Sequence, residues 1–188
     1  MKVGVLALQG AVREHLEALR RCGAEAQRVR TAEEIAACDA LIIPGGESTT
    51  IGKLMDRYGL IGAIKELAGS GKPLLGTCAG MILMAKAIES EAEGQPRLEL
   101  MDITVERNAF GRQVDSFEAD LEFAGVNGGP VRAVFIRAPV VRAVGSGVEV
   151  LATHEGRVVA ARQGNLLALA FHPEMTSDPR IHRYFLAM

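Results

Sequence analysis

The sequence predicts an α/β fold built on a mixed, mainly parallel sheet covered by helices on both faces. Three observations carry that expectation. Short, wholly apolar runs at 2–8 (KVGVLAL), 40–43 and 72–76 (KPLLG) lack the alternation of a sheet with one wet face. Between them, apolar residues recur at spacings of three and four, the signature of amphipathic helices. Glycine-rich turns, PGGEST at 44–49 and GTCAG at 76–80, close two of the strands. Strands alternating with helices in this way indicate parallel pairing.

Taken in order, 2–8 reads as a buried strand. Val12, Leu16, Leu19 and Cys22 then share one helical face. AEAQRVR is a second strand, and 40–43 a third. Ile51, Leu54, Met55 and Tyr58 repeat at helical spacing, as do Leu60, Ile61, Ile64 and Leu67. KPLLG is the next strand, and AGMILMAKAI (79–88) reads as an apolar helix. The polar stretch 89–97 is a surface loop. From about residue 100, LELMDITVE, SFEADLEF, VRAVFIRAP, VEVLAT, RVVAARQG and NLLALAF read as successive strands, expected to extend the same sheet antiparallel. The last helix has Asp178 as its expected N-cap and Pro179 at its first position. Ile181, Tyr184, Phe185 and Met188 form its apolar face.

Length and composition bound what this fold can do. The 188 residues suit a single domain spanning 1–188, and a hydrophobic share of 48% supplies a sizeable core. A net charge of −2 gives no electrostatic case for nucleic acid or an anionic membrane. With no Trp and only two Tyr, there is no aromatic platform for bases. No apolar run reaches transmembrane length, and the first residues are too soon broken for a signal peptide. Three cysteines, Cys22, Cys38 and Cys78, form neither a disulfide framework nor a zinc pattern, so a reducing cytoplasm is expected.

Sites in a parallel α/β sheet gather at the carboxyl ends of strands, where both glycine turns fall. GTCAG has the strand–turn–helix form of a nucleophile elbow, with Cys78 in place of serine. Small neighbours permit the sharp backbone, the following helix dipole favours thiolate, and the Ala79 N–H can face an oxyanion. The alternative is a small core residue beside a tight turn. A thiol nucleophile needs a base. His15 and His182 fall on predicted helices and read as surface residues, and His154 as a turn residue. His172 lies past an apolar strand in FHPE. There, an extended chain would put His172 and Glu174 on one side, so that the carboxylate orients the imidazole.

PGGEST is open to three readings: a phosphate turn, although the Walker pattern is absent; an oxyanion loop in which the Gly46 N–H partners that of Ala79; or a plain turn capped by Ser48 or Thr49. Arg107, Arg112 and Arg137 can each hold a carboxylate, and each singly also reads as an exposed arginine.

Together these stretches resemble the triad (class I) glutamine amidotransferases, over nearly the whole chain. LALQGAVREH, IPGGESTTI, GTCAGMILMA, RNAFGRQVDSFE, FIRAP and FHPE look like the glutaminase subunits of pyridoxal 5′-phosphate synthase, the RNAFGRQVDSFE stretch being the most specific. The resemblance implies a flavodoxin-like three-layer α/β/α sandwich. It implies Cys78 as nucleophile, His172 as general base and acid, and Glu174 as the orienter of His172. It places Gly46, Glu47, Ser48, Arg107, Ile136 and Arg137 against L-glutamine. No metal or cofactor is implied. The implied partner is a (β/α)₈-barrel synthase subunit that receives ammonia through a protected channel, with the loop at Gln9 and Gly10 near the interface. Met175 stands where leucine is usual, a volume-conserving change. A glutaminase for another pathway and a non-catalytic docking subunit of the same fold are the rival readings.

Overall fold

In a computed structural model of the protein, residues 1–89, 94–110 and 116–188 are described. The chain runs β1 (Lys2–Leu6), α1 (Val12–Arg21), β2 (Glu25–Val29), α2 (Ala32–Ala36), β3 (Ala40–Ile43), α3 (Ser48–Arg57), α4 (Leu60–Gly69), β4 (Leu74–Thr77), α5 (Ala79–Met84) and β5 (Ala85–Ile88). It continues β6 (Met101–Glu106), β7 (Ser116–Leu121), β8 (Val131–Ile136), β9 (Val140–Val144), β10 (Glu149–His154), β11 (Arg157–Gln163) and β12 (Leu166–Leu169). A 3-10 turn at Pro173–Met175 precedes α6 (Arg180–Leu186).

One mixed sheet of ten strands organises these elements, in the order β2-β1-β3-β4-β12-β11-β9-β6-β5, with β10 paired to β11. The strands from β2 to β12 in that order are parallel. Every residue of β3, β4 and β12 is buried, as two covered faces require. Right-handed crossovers from β1 to β2 and from β2 to β3 run in opposite directions, so their helices lie on opposite faces. The packing agrees: α2 and α3 lie against α4, and α3 against α5, while α1 meets α6 through a contact between His15 and His182.

The structure changes five expectations. The expected antiparallel extension holds for β6, β10 and β11, but β12 lies parallel beside β4, deep in the first half. β9 was not expected, and it joins β11 to β6. β7 and β8 leave the main sheet and form a two-stranded sheet of their own. The helix expected over 79–88 stops at Met84, and Ala85–Ile88 turns into a strand parallel to β6. A short helix, α2, was not expected, although its capping box at Thr31 and Glu34 is written in the sequence.

Helix ends also shift. Glu47, not Ser48 or Thr49, caps α3, its carboxylate accepting the N–H groups of Thr49 and Thr50 at 3.1 and 2.7 Å. Pro179 occupies the cap of α6, and Asp178, one residue earlier, still accepts the Arg180 N–H at 2.9 Å. The strand expected over 2–8 ends at Leu6, which frees residues 8–11 to form a loop over the sheet edge.

Candidate active site

Register assembles the site. Ile43 of β3 pairs with Gly76 of β4, and Leu169 of β12 pairs with Thr77. Three adjacent parallel strands therefore end together, and Pro44–Glu47, Cys78 and His172 leave the same edge of the sheet within one or two strand spacings.

Cys78 sits on the turn between β4 and α5 with φ 49° and ψ −100°, a conformation a non-glycine residue holds only under constraint, at a cost of about 1–3 kcal/mol. The constraint is visible. The Cys78 N–H donates to Leu169 O at 2.7 Å, continuing the ladder with β12. The flanking glycines serve packing rather than dihedral freedom. A Cβ on Gly80 would run into the Ile43 carbonyl, and one on Gly76 would meet the Gly80 backbone at 2.6 Å. They let β4, α5 and β3 approach until the turn has no room to relax.

His172 is held from both sides. Its N–H donates to Val134 O of β8 at 2.8 Å, and its Nδ1 lies 2.7 Å from Glu174 Oε1. The two residues meet across the 3-10 turn rather than along an extended strand, so the expected pairing holds for a different geometric reason. Burial alone would lower the His172 pKa. Hydrogen bonds to Cys78 and Glu174 and the Glu174 charge outweigh it and push it up to about 10. The ring thus favours the imidazolium beside Cys78. For Glu174, burial would raise the pKa, but His15 and His172 together hold it below the usual carboxylate value.

Gly45, which the sequence did not single out, fits tightly against both His172 and Cys78. A Cβ there would collide with His172 Cε1 and come within 3.4 Å of Cys78 Cβ. Its carbonyl accepts the Ala11 N–H at 3.0 Å and its N–H donates to Thr77 Oγ1 at 3.0 Å. Gln9 Oε1 accepts the Glu47 N–H at 2.8 Å, so the 9–11 loop clamps the 45–47 loop. Gly10, at φ 104°, lies so close to the Gly45 carbonyl that no side chain fits.

A pocket of about 490 Å³ opens over these groups, a size that suits a small metabolite. Cys78, His172, Gly46, Glu47, Ser48, Arg107, Ile136 and Arg137 all line it. Glu174 stands behind His172, and Ala79 begins α5 at 1% exposure, outside the lining. Arg107 reaches the rim, with Nη2 3.7 Å from Glu47 Oε1 and Nη1 donating to Gln95 Oε1 at 3.2 Å. Glu47 is thus committed to capping α3 and to Arg107. Arg137, at φ 43°, and Asn108, at φ 51°, are rim residues with left-handed backbones. Arg112 and the rest of the GRQVD part of RNAFGRQVDSFE lie outside the described residues.

The other histidines are not as expected. His15 and His182 are fully buried, not surface residues, and His154 ends β10 packed against Phe117 and Phe135, which stack on each other. The signal for His15 was available: position 15 lies three after Val12 and four before Leu19, on the apolar face of α1.

The model of the SNO glutamine amidotransferase family matches residues 5–188. The chain belongs to that family. The pyridoxal 5′-phosphate synthase subunit PdxT of Dehalococcoides mccartyi is 59% identical over 189 residues, covering 100% of this chain and 97% of that one. The PdxT of Pelotomaculum thermopropionicum is 60% identical over 186 residues, covering 99% and 94%. A crystal structure of a glutamine amidotransferase superimposes with a TM-score of 0.93 at 56% identity, covering 98% of this chain and 97% of that one. Like that structure, this member of the amidotransferase family is an α/β protein with helices around a mixed sheet. No helix among the described residues is long and apolar enough to cross a membrane.

Proposed function

We propose that the chain acts, as one domain, as the glutaminase subunit of a pyridoxal 5′-phosphate synthase, hydrolysing L-glutamine to L-glutamate and ammonia. The observation that carries the reading is Cys78, constrained at a strand end inside a pocket, beside a His172 whose Nδ1 is engaged by Glu174 at 2.7 Å. The names of the family and of the full-length relatives support it.

The chemistry follows from the groups. His172, whose raised pKa favours the imidazolium, takes the Cys78 proton and leaves the thiolate. The thiolate attacks the amide carbon of glutamine. The N–H groups of Gly46 and Ala79 receive the oxyanion. The Gly45 carbonyl is already engaged by Ala11, which fixes the orientation of the Gly45–Gly46 peptide. His172 protonates the departing ammonia, leaving a glutamyl thioester. Water, deprotonated by His172, then hydrolyses it to glutamate and free thiol. Glu174 holds the Nδ1–H tautomer throughout, so that Nε2 carries the shuttled proton. Gly46, Glu47, Ser48, Arg107, Ile136 and Arg137 form the glutamine cleft, with the arginines at its carboxylate end.

A (β/α)₈-barrel synthase subunit takes the ammonia through a protected channel, and the Gln9–Gly10 loop lies at that interface. The three free cysteines and the need for a reduced Cys78 fit the cytoplasm. Mixing the protein with such a barrel subunit is expected to raise glutamate formation from glutamine well above that of either alone. Glutamate at background in the assembled pair would show that the fold serves docking without catalysis.

A further inference from the structure

His15 on α1 and His182 on α6 are fully buried, and the proposed reaction uses neither. Buried imidazoles are costly unless their nitrogens are partnered. These two run in a line toward Glu174. His182 Nε2 lies 3.2 Å from His15 Nδ1. His15 Nε2 lies 3.2 Å from Thr77 Oγ1 and 3.4 Å from Glu174 Oε2. Thr77 Oγ1 in turn accepts the Gly45 N–H. Glu174 Oε2 has no hydrogen bond in this arrangement, so His15 meets it through a long charge–dipole contact.

What each tautomer leaves unpaired decides between them. With the proton on His15 Nδ1, the Nε2 lone pair faces a carboxylate oxygen. The His182 proton then falls on Nδ1, a buried donor without a hydrogen-bond partner. With the proton on His15 Nε2, it points to Thr77 Oγ1 and Glu174 Oε2, and His182 Nε2–H donates to His15 Nδ1. What stays unpaired is a lone pair on His182 Nδ1 and the hydrogen of the Thr77 hydroxyl, whose oxygen then accepts from both His15 and Gly45. The second arrangement sets a donor rather than a lone pair beside the buried carboxylate, and satisfying a charge outweighs leaving a neutral hydroxyl hydrogen unpaired.

We propose, resting on the glutaminase reading above, that His15 is a positioning residue of the reaction. Its Nε2–H, backed by His182, steadies the second oxygen of Glu174 while the first engages His172, and through Thr77 it ties that carboxylate to the Gly45 backbone. Burial lowers the His15 pKa against the pull of the Glu174 charge, and so favours the neutral ring as the donor. α1 is therefore joined to both loops that flank Cys78: at its start through Ala11 and Gly45, and one turn later through His15 and Glu174.

The ¹⁵N shifts of histidine-labelled protein read the tautomer with no substitution. The Nε2–H form of His15 is expected, and the Nδ1–H form overturns the proposal. In the complex with the barrel subunit, His15→Phe keeps a ring and removes both nitrogens. It is expected to lower kcat for glutamine about tenfold at nearly constant KM, and to move the His172 Nδ1 proton resonance. His15→Gln, whose amide N–H reaches toward the Nε2 position, is expected to recover most of kcat. Wild-type kcat and resonance in a folded His15→Phe sink the proposal. So does a His15→Gln as slow as His15→Phe, because ring packing would then be the cause. An unsubstituted complex without glutaminase activity sinks the functional reading instead, and the tautomer measurement still decides where the His15 proton lies.

Discussion

The two walls of the pocket are built on opposite plans. On one side, Cys78, His172, Glu174 and Gly45 are wedged between the ends of three parallel strands, with buried partners on every side. On the other, Arg107, Ile136 and Arg137 stand on the antiparallel side of the molecule, where Ile136 is 37% exposed and the Arg107–Glu47 contact spans 3.7 Å. The first wall can hold reacting atoms to a fraction of an ångström, which acid–base and nucleophilic steps need. The second is adjustable, which suffices for holding the charged end of a substrate. Under the proposed glutaminase reading, the difference assigns chemistry and recognition to separate structural resources, so substitutions on the two walls should separate kcat from KM.

The sharpest break comes from Cys78→Ala. It is expected to lower glutaminase activity by about 10⁴-fold or more, while synthesis from added ammonia in the complex persists. Loss of the ammonia-driven reaction as well would mean that the substitution damages the assembly. Next in size is Gly45→Ala. Its methyl must displace the His172 ring, and a misplacement of about 1 Å costs on the order of 10²-fold in kcat. A Gly45→Ala enzyme with normal kcat would show the rigid wall to be softer than described. On the other wall, Arg107→Ala is expected to raise KM for glutamine about tenfold, the worth of a charged hydrogen bond, with kcat nearly unchanged. A fall in kcat at constant KM would erase the contrast between the walls.

The smallest expected effect is on stability. His182 is driven down to about 3 by burial, and by the neighbouring His15. Its folded pKa lies below the unfolded value of 6.5, so the unfolded chain binds the extra proton. Stability therefore falls as pH drops from about 6.5 toward 3, by about 1.4 kcal/mol per pH unit for this one group. Glu174, whose pKa is lowered, adds a loss in the same direction below its unfolded value of 4.5. Urea titrations at pH 6.5 and 5 should show a smaller difference in His182→Leu than in the unsubstituted protein. An equal difference would place the acid sensitivity elsewhere.

Much of the rigid wall was legible. Cys78 stands between two glycines after an apolar run, and His172 and Glu174 close another. Those patterns are local, because the packing they permit involves residues within a few positions. The Thr31–Glu34 capping box and the place of His15 on the apolar stripe of α1 were equally local, and both carry the signal that the structure uses. Other features were not. AKAI continues an apolar helix in every local respect, and only pairing with β6 makes it a strand. Nothing near β7 and β8 announces that they leave the main sheet for each other.

By itself, the sequence determined which residues are candidates for the chemistry, which segments are apolar on both faces, and where small residues allow a sharp turn. These depend on side-chain chemistry and short-range sterics. Tertiary structure decided that β12 enters beside β4, which is what carries His172 to Cys78 across more than ninety residues of chain. It also decided that Gly45 and His15 both meet the same site, Gly45 at His172 and His15 at Glu174. Strand order and cross-element contact arise from burying the whole apolar surface at once, a balance among distant segments that no short stretch of sequence records.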